Sequence, residues 1–144
     1  MQHAIAILLL EDARADLYIS GEERDAVQRL LMAEYDIAPE RAGALLDAAG
    51  ERVEDVTALH PFLRQVNDHF DAAERQRLIE VMWRIAWIDE EKHRYEEALI
   101  RRVADLIYVS HSDFIRAKIN AERQVQDERA AARSVDFARL DPAE

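Results

Sequence analysis

The chain has 144 residues, 34% of them charged, with a net charge of −11 and no cysteine. One domain is the expectation at this length. Disulfides, thiolate metal sites and a cysteine nucleophile are excluded, and the acidity argues against nucleic acid and anionic lipid as partners. Cations and basic protein patches are the natural counterparts. Three glycines and three prolines are too few for a turn-rich β fold.

The apolar run Ala4–Leu10 opens the chain. It falls far short of the roughly 20 residues of a membrane span, and without a basic flank or a small-residue cleavage site it is not the pattern of a signal peptide. Ile5, Leu8, Leu9 and Ala13 recur at helical spacing, so residues 4–19 read as a helix with Asp12 and Arg14 outward. Ser20-Gly21-Glu22-Glu23 is a capping-box pattern, a serine followed three residues later by a glutamate. It predicts a second helix with its stripe on Val27, Leu30, Leu31 and Tyr35. Pro39 suits the start of a short third helix through Leu45 and Leu46, closed by Gly50.

Val53, Val56 and Leu59 suggest a further helix over 52–59. His60-Pro61 breaks it, because a residue before proline avoids helical angles. Phe62, Leu63, Val66 and Phe70 form the next short stripe. Asp71-Ala72-Ala73-Glu74 is a second capping box, opening a helix that carries Leu78, Val81, Met82, Ile85 and Ala86 beside Trp83 and Trp87. A dense charged stretch follows from Asp89 to Glu97. Ala98, Leu99, Val103, Leu106 and Ile107 resume the helical pattern, and Ser110 to Asp113 is a third helix start before Phe114, Ala117, Ala121 and Val125. Beyond Gln126 the stripe fades, and the tail is either a projecting helix or frayed. The expectation is an all-α compact bundle of about seven to eight short helices. It would form a single domain over 1–133, with 134–144 as a frayed tail.

Sliding the chain over itself by 73 positions places Ala13 on Ala86, Asp16 on Asp89, Glu23 on Glu96, Arg29 on Arg102 and Tyr35 on Tyr108. Leu8, Leu9, Val27 and Leu30 fall on Val81, Met82, Ile100 and Val103, and after the tyrosine a one-residue slip brings Ile37 onto Val109. Two pseudo-symmetric units follow, at about 4–46 and 74–118, each a helix, an acidic link and a second helix.

The second unit contains MWRIAWIDEEKHRYEEALIRRVADLIYVSHSDFIRAK, Met82 to Lys118. This stretch resembles the TerB-like tellurite-resistance domains, with Leu8 to Leu31 as a weaker first copy. The resemblance implies a small all-helical bundle of two related units. It implies a cytoplasmic, non-enzymatic accessory role in the response to tellurite and other chemical stress, with other proteins of that response as partners. It also implies that acids at the links hold a metal ion, here Asp16, Glu23, Asp89 and Glu96. Where that family usually has glycine after the aspartate, this chain has Leu17 and Glu90.

The residues themselves leave two readings of those acids. Calcium and magnesium take several carboxylate oxygens, so four acids suit a divalent cation whose identity the sequence does not specify. An aspartate at a helix C-terminus opposes the dipole by about 0.3–1 kcal/mol, and a local rule broken in both units marks a functional site. Glu90, Glu91, Glu97 and His93 lie near as further donors. Against this, the aspartates can cap turns, and Glu23 has the third position of a capping box; the acids are then caps on a helical protein-interaction scaffold.

The EF-hand pattern is absent. Glu90-Glu91-Lys92-His93 supplies a single Glu-x-x-His where a di-iron bundle uses a pair. His60, His69 and His111 are scattered and read as structural or exposed. Trp83 and Trp87, one turn apart, read as core, with a groove for a partner helix as the alternative. The alanine-rich tail from Asp127 offers a route to a homodimer.

Overall fold

A computed structural model describes residues 2–13, 21–48, 59–87 and 93–140, excluding the side chains of 3, 12, 13, 23, 93–96 and 134–140. Seven helices run through these residues: α1 (Gln2–Ala13), α2 (Gly21–Tyr35), α3 (Pro39–Ala48), α4 (His60–His69), α5 (Ala72–Ala86), α6 (His93–Leu106) and α7 (His111–Leu140). There is no strand among them. The all-α expectation is met. The helix expected over 52–59 and the closing Gly50 lie outside the described residues, apart from Leu59.

α1 is the axis of the bundle. Every residue from Ala4 to Glu11 is buried, and the helix packs against α2, α3, α4, α5 and α6. A helix buried on all sides needs apolar residues on all sides, which the unbroken run Ala4–Leu10 supplies. The sequence stripe captured one face of a helix that has no exposed face over that run. Each fully buried leucine contributes about 1.5–3 kcal/mol of transfer energy.

Around this axis the helix ends are tied by specific polar contacts. Asp71 and Glu74 form the full capping box read from the sequence: the Glu74 N–H donates to Asp71 Oδ1 at 2.8 Å, and the Asp71 N–H donates to Glu74 Oε1 at 3.1 Å. Arg75 reaches back to cap α4, its Nε donating to the Phe70 carbonyl and its Nη2 to the Asn67 carbonyl, both at 3.1 Å. Asn67 Nδ2 in turn donates to the Leu106 carbonyl at 3.1 Å. Orphan carbonyls at two helix ends are thus satisfied by side chains. Ser110 Oγ accepts from the Asp113 N–H at 3.2 Å at the start of α7. His60-Pro61 proves to be a helix start: both lie in the first turn of α4, where proline forfeits no intrahelical bond.

α6 ends in a Schellman turn. The Val109 N–H bonds to the Ala104 carbonyl at 2.9 Å and the Tyr108 N–H to Asp105 at 3.3 Å. Tyr108 sits at φ 63, a left-handed position usually held by glycine. The corresponding left-handed residue after α2 is Asp36, at φ 53. Tyr35 and Tyr108, matched in the sequence overlay, therefore differ in conformation: Tyr35 closes α2 as a helical residue, and Tyr108 is the left-handed residue beyond α6. They differ in environment too. The Tyr35 hydroxyl is buried without a hydrogen-bond partner among the described residues, and Tyr108 is 79% exposed. The letter identity of the two tyrosines does not extend to their conformation or burial.

α7 runs through Leu140, inside the 134–144 stretch read as a tail. Its alanines and arginines are strong helix formers. The buried stripe Phe114, Ala117, Ala121 and Val125 packs the first half, largely on α5. From Gln126 to Arg133 every side chain is exposed.

Candidate functional site

Asp16 and Asp89 lie outside the described residues. Glu23 is the third residue of α2 and Glu96 the fourth of α6, so each belongs to the first turn of a helix that follows an acidic link. Their side chains lie outside the description. The first turn carries unpaired N–H groups and the positive end of the dipole, which stabilise a carboxylate there. α6 begins at His93, so the second half of the charged stretch is helical. Glu97, one of the further donors, is engaged elsewhere: its Oε1 lies 3.4 Å from Arg101 Nη2 and 3.6 Å from Lys118 Nζ. Among the described residues no group of three or more His, Asp or Glu is placed to hold a metal ion.

Sequence reasoning passed over Glu11, which is 6% exposed at the end of the central helix. Its signal is positional: a carboxylate directly after seven apolar residues, in a helix buried all round.

Trp83 belongs to the interior, and Trp87 is half-buried against the core. Trp83 is fully buried, stacked on Trp87 with centroids 6.1 Å apart, and meets Phe114 edge-on at 5.7 Å. Lys118 Nζ lies 4.9 Å from the Trp83 ring centroid, and the Arg101 guanidinium 5.1 Å from that of Phe114. The same two cations flank Glu97, so one acid and two cations on aromatic faces close the seam between α6 and α7. His60, His69 and His111 are exposed.

The most developed polar constellation is one the sequence did not reveal. Glu34 near the end of α2 is almost enclosed and pairs with both Arg77 and Arg84 of α5. Arg84, 12% exposed, carries on through Nη2 to Glu128 Oε1 of α7 at 2.6 Å. Three helices are joined by one guanidinium. Burial alone would push the Glu34 carboxyl up, but the hydrogen bond and charge of Arg77, then those of Arg84, outweigh it and hold it below its ordinary value. The Arg77 guanidinium is pushed up in return, chiefly by its bond to Glu34. Next to this pair, burial raises the Tyr35 phenol well above its usual range and keeps it neutral. One residue further along α7, Arg129 Nη2 donates to the Trp87 carbonyl at 2.8 Å, binding the open C-terminal end of α5.

An all-helical bundle wrapped on a buried first helix, with acids in the first turns of α2 and α6, defines the structural class. The family model described as tellurite resistance protein TerB matches residues 2–119, and the chain belongs to that family. No curated protein and no solved structure matches it. The matched span covers α1 to α6 and the first third of α7; Glu128 and Arg129 lie beyond it.

Proposed function

We propose that this TerB-family chain is a non-enzymatic accessory protein of a cytoplasmic tellurite or chemical-stress response, working with other proteins of that response. In this reading it binds a divalent cation through Asp16, Glu23, Asp89 and Glu96. The observation that supports the reading is the placement of Glu23 and Glu96 in the first turns of α2 and α6, two helices that both pack on α1 and both follow an acidic link. Oxygen-only donors favour a hard cation such as calcium or magnesium. The second reading, an interaction scaffold whose acids are caps, draws support from Asp71 and Glu74, which form a complete capping box in this same chain.

Thermal unfolding with and without millimolar Ca²⁺, Mg²⁺, Mn²⁺ or Zn²⁺ separates the two, run on the parent and on Asp16→Asn/Asp89→Asn. A ligand at 100 times its dissociation constant adds about 2.7 kcal/mol. Stabilisation in the parent that disappears in the double variant supports the cation site. No shift with any metal, together with a less stable variant, leaves the aspartates as caps.

A further inference from the structure

We propose that the cleft between α2 and α7 is a binding site for a small organic acid, an aliphatic or aryl-aliphatic carboxylate, with Arg84 as the carboxylate receptor. The cleft has a volume of about 480 Å³, within the roughly 300–1,000 Å³ typical of small-molecule sites. Its walls are apolar where the helices face each other, at Leu30 and Ala33 of α2 and at Val125 and Ala132 of α7. Among the described residues its charged groups are Arg29, Arg84 and Arg129 against a single glutamate, Glu128. In a chain of net charge −11 this local balance is inverted. An anion with an apolar body complements such a cleft, and a cation does not.

The guanidinium of Arg84 shows where the carboxylate goes. Nη1 is held by Glu34, itself nearly enclosed, so the head group is fixed from behind. Nη2 donates to one oxygen of Glu128, which is 62% exposed and therefore weakly held. Nε, on the same edge as Nη2, is out of solvent and has no hydrogen-bond partner among the described residues. Glu128 thus occupies a two-donor edge with one bond. A ligand carboxylate that takes its place on Nη2 and also accepts from Nε makes the bidentate pair that guanidinium geometry favours, and satisfies a donor now left unpaired. Glu128 is then a resident competitor that swings into solvent when the acid binds. Because Val125, Glu128, Arg129 and Ala132 all lie past residue 119, this half of the cleft falls outside the span that matches the family.

The test is an NMR and calorimetric titration of the full chain with octanoate and 3-phenylpropionate, with hexylamine as the cationic control. The expected result is saturable one-to-one binding of the acids, with shifts confined to α2, α5 and α7, and none for the amine. Arg29→Gln should weaken binding several-fold, and Ala33→Phe, at an exposed wall position that leaves the core intact, should abolish it. Glu128→Gln should tighten it several-fold, since it removes the competitor and keeps the shape. Sedimentation of the same samples checks for occupation by a second copy. Failure of either acid to saturate, equal binding by the three variants and the parent, or a dimer that Ala33→Phe dissociates would overturn the proposal.

Discussion

Glu34→Gln should be among the more damaging single changes available on the polar side of the fold. The substitution keeps the shape and removes the charge that two guanidiniums share. Arg77 is half exposed, so its pairing is discounted to about 0.2–1 kcal/mol by solvent screening. Arg84 is 12% exposed and matters more. Breaking a fully buried pair costs about 3–5 kcal/mol, because one charge stays behind unpaired. Here Arg84 keeps Glu128, so the total for Glu34→Gln should be nearer 2–3 kcal/mol, at the lower edge of what truncating a buried charge pair costs. At about 3–4 °C per kcal/mol for a chain of this length, Tm should fall by about 6–12 °C. Urea unfolding followed by circular dichroism should show a lower midpoint at an unchanged slope, the mark of lost stability without a change in compactness. A double-mutant cycle with Arg84→Met should give a coupling above about 1 kcal/mol, as contacting residues do. A loss below about 0.5 kcal/mol, or strict additivity with Arg84→Met, would refute the claim that this network joins α2, α5 and α7.

The same group sets an acid limit. The Glu34 carboxyl is held below its unfolded value of 4.5, so near that pH the unfolded chain binds more protons and stability rises with pH. Its contribution is complete above the unfolded value and is lost as pH falls through the lower folded value. Glu34→Gln should flatten the stability profile below about pH 4.5 relative to the parent, and an unchanged profile would show that the acid is not paired in solution. Tyr108→Gly should stabilise the protein. A left-handed non-glycine residue costs about 1–2 kcal/mol, glycine's extra unfolded-state freedom returns part of that, and Tyr108 buries almost nothing to lose. A gain of roughly 0.5–1 kcal/mol in denaturant unfolding is expected, and a lowered Tm would mean that the ring has a partner.

How far the fold could be read from the letters depended on the range of the signal. Asp71 and Glu74 are three residues apart, and their capping box was legible because its physics is local. α1 was legible as a helix but not as the axis: when every residue from Ala4 to Leu10 is apolar, periodicity has nothing to contrast, and only packing shows that all faces are covered. The overlay that paired Tyr35 with Tyr108 followed the letters, whereas the left-handed turn sits on Asp36 and Tyr108. Arg84 carried no sequence signal, since its partners Glu34 and Glu128 are 50 and 44 positions away and an arginine on a helix ordinarily reads as a solvated surface group. For the candidate cation site, the first-turn placement of Glu23 was legible through its capping-box spacing. That of Glu96 was not, because α6 starts four residues inside the charged stretch that was read as a link.

The most direct test of the cation reading is paramagnetic: add substoichiometric Mn²⁺ to the isotopically labelled full chain and follow which backbone amides broaden. A cation held by Asp16, Glu23, Asp89 and Glu96 should broaden one compact set of amides around residues 14–23 and 89–96, and excess Ca²⁺ or Mg²⁺ should reverse it. Broadening spread over unrelated surface acids such as Asp71, Glu74 and Asp127, or none at all, would contradict it.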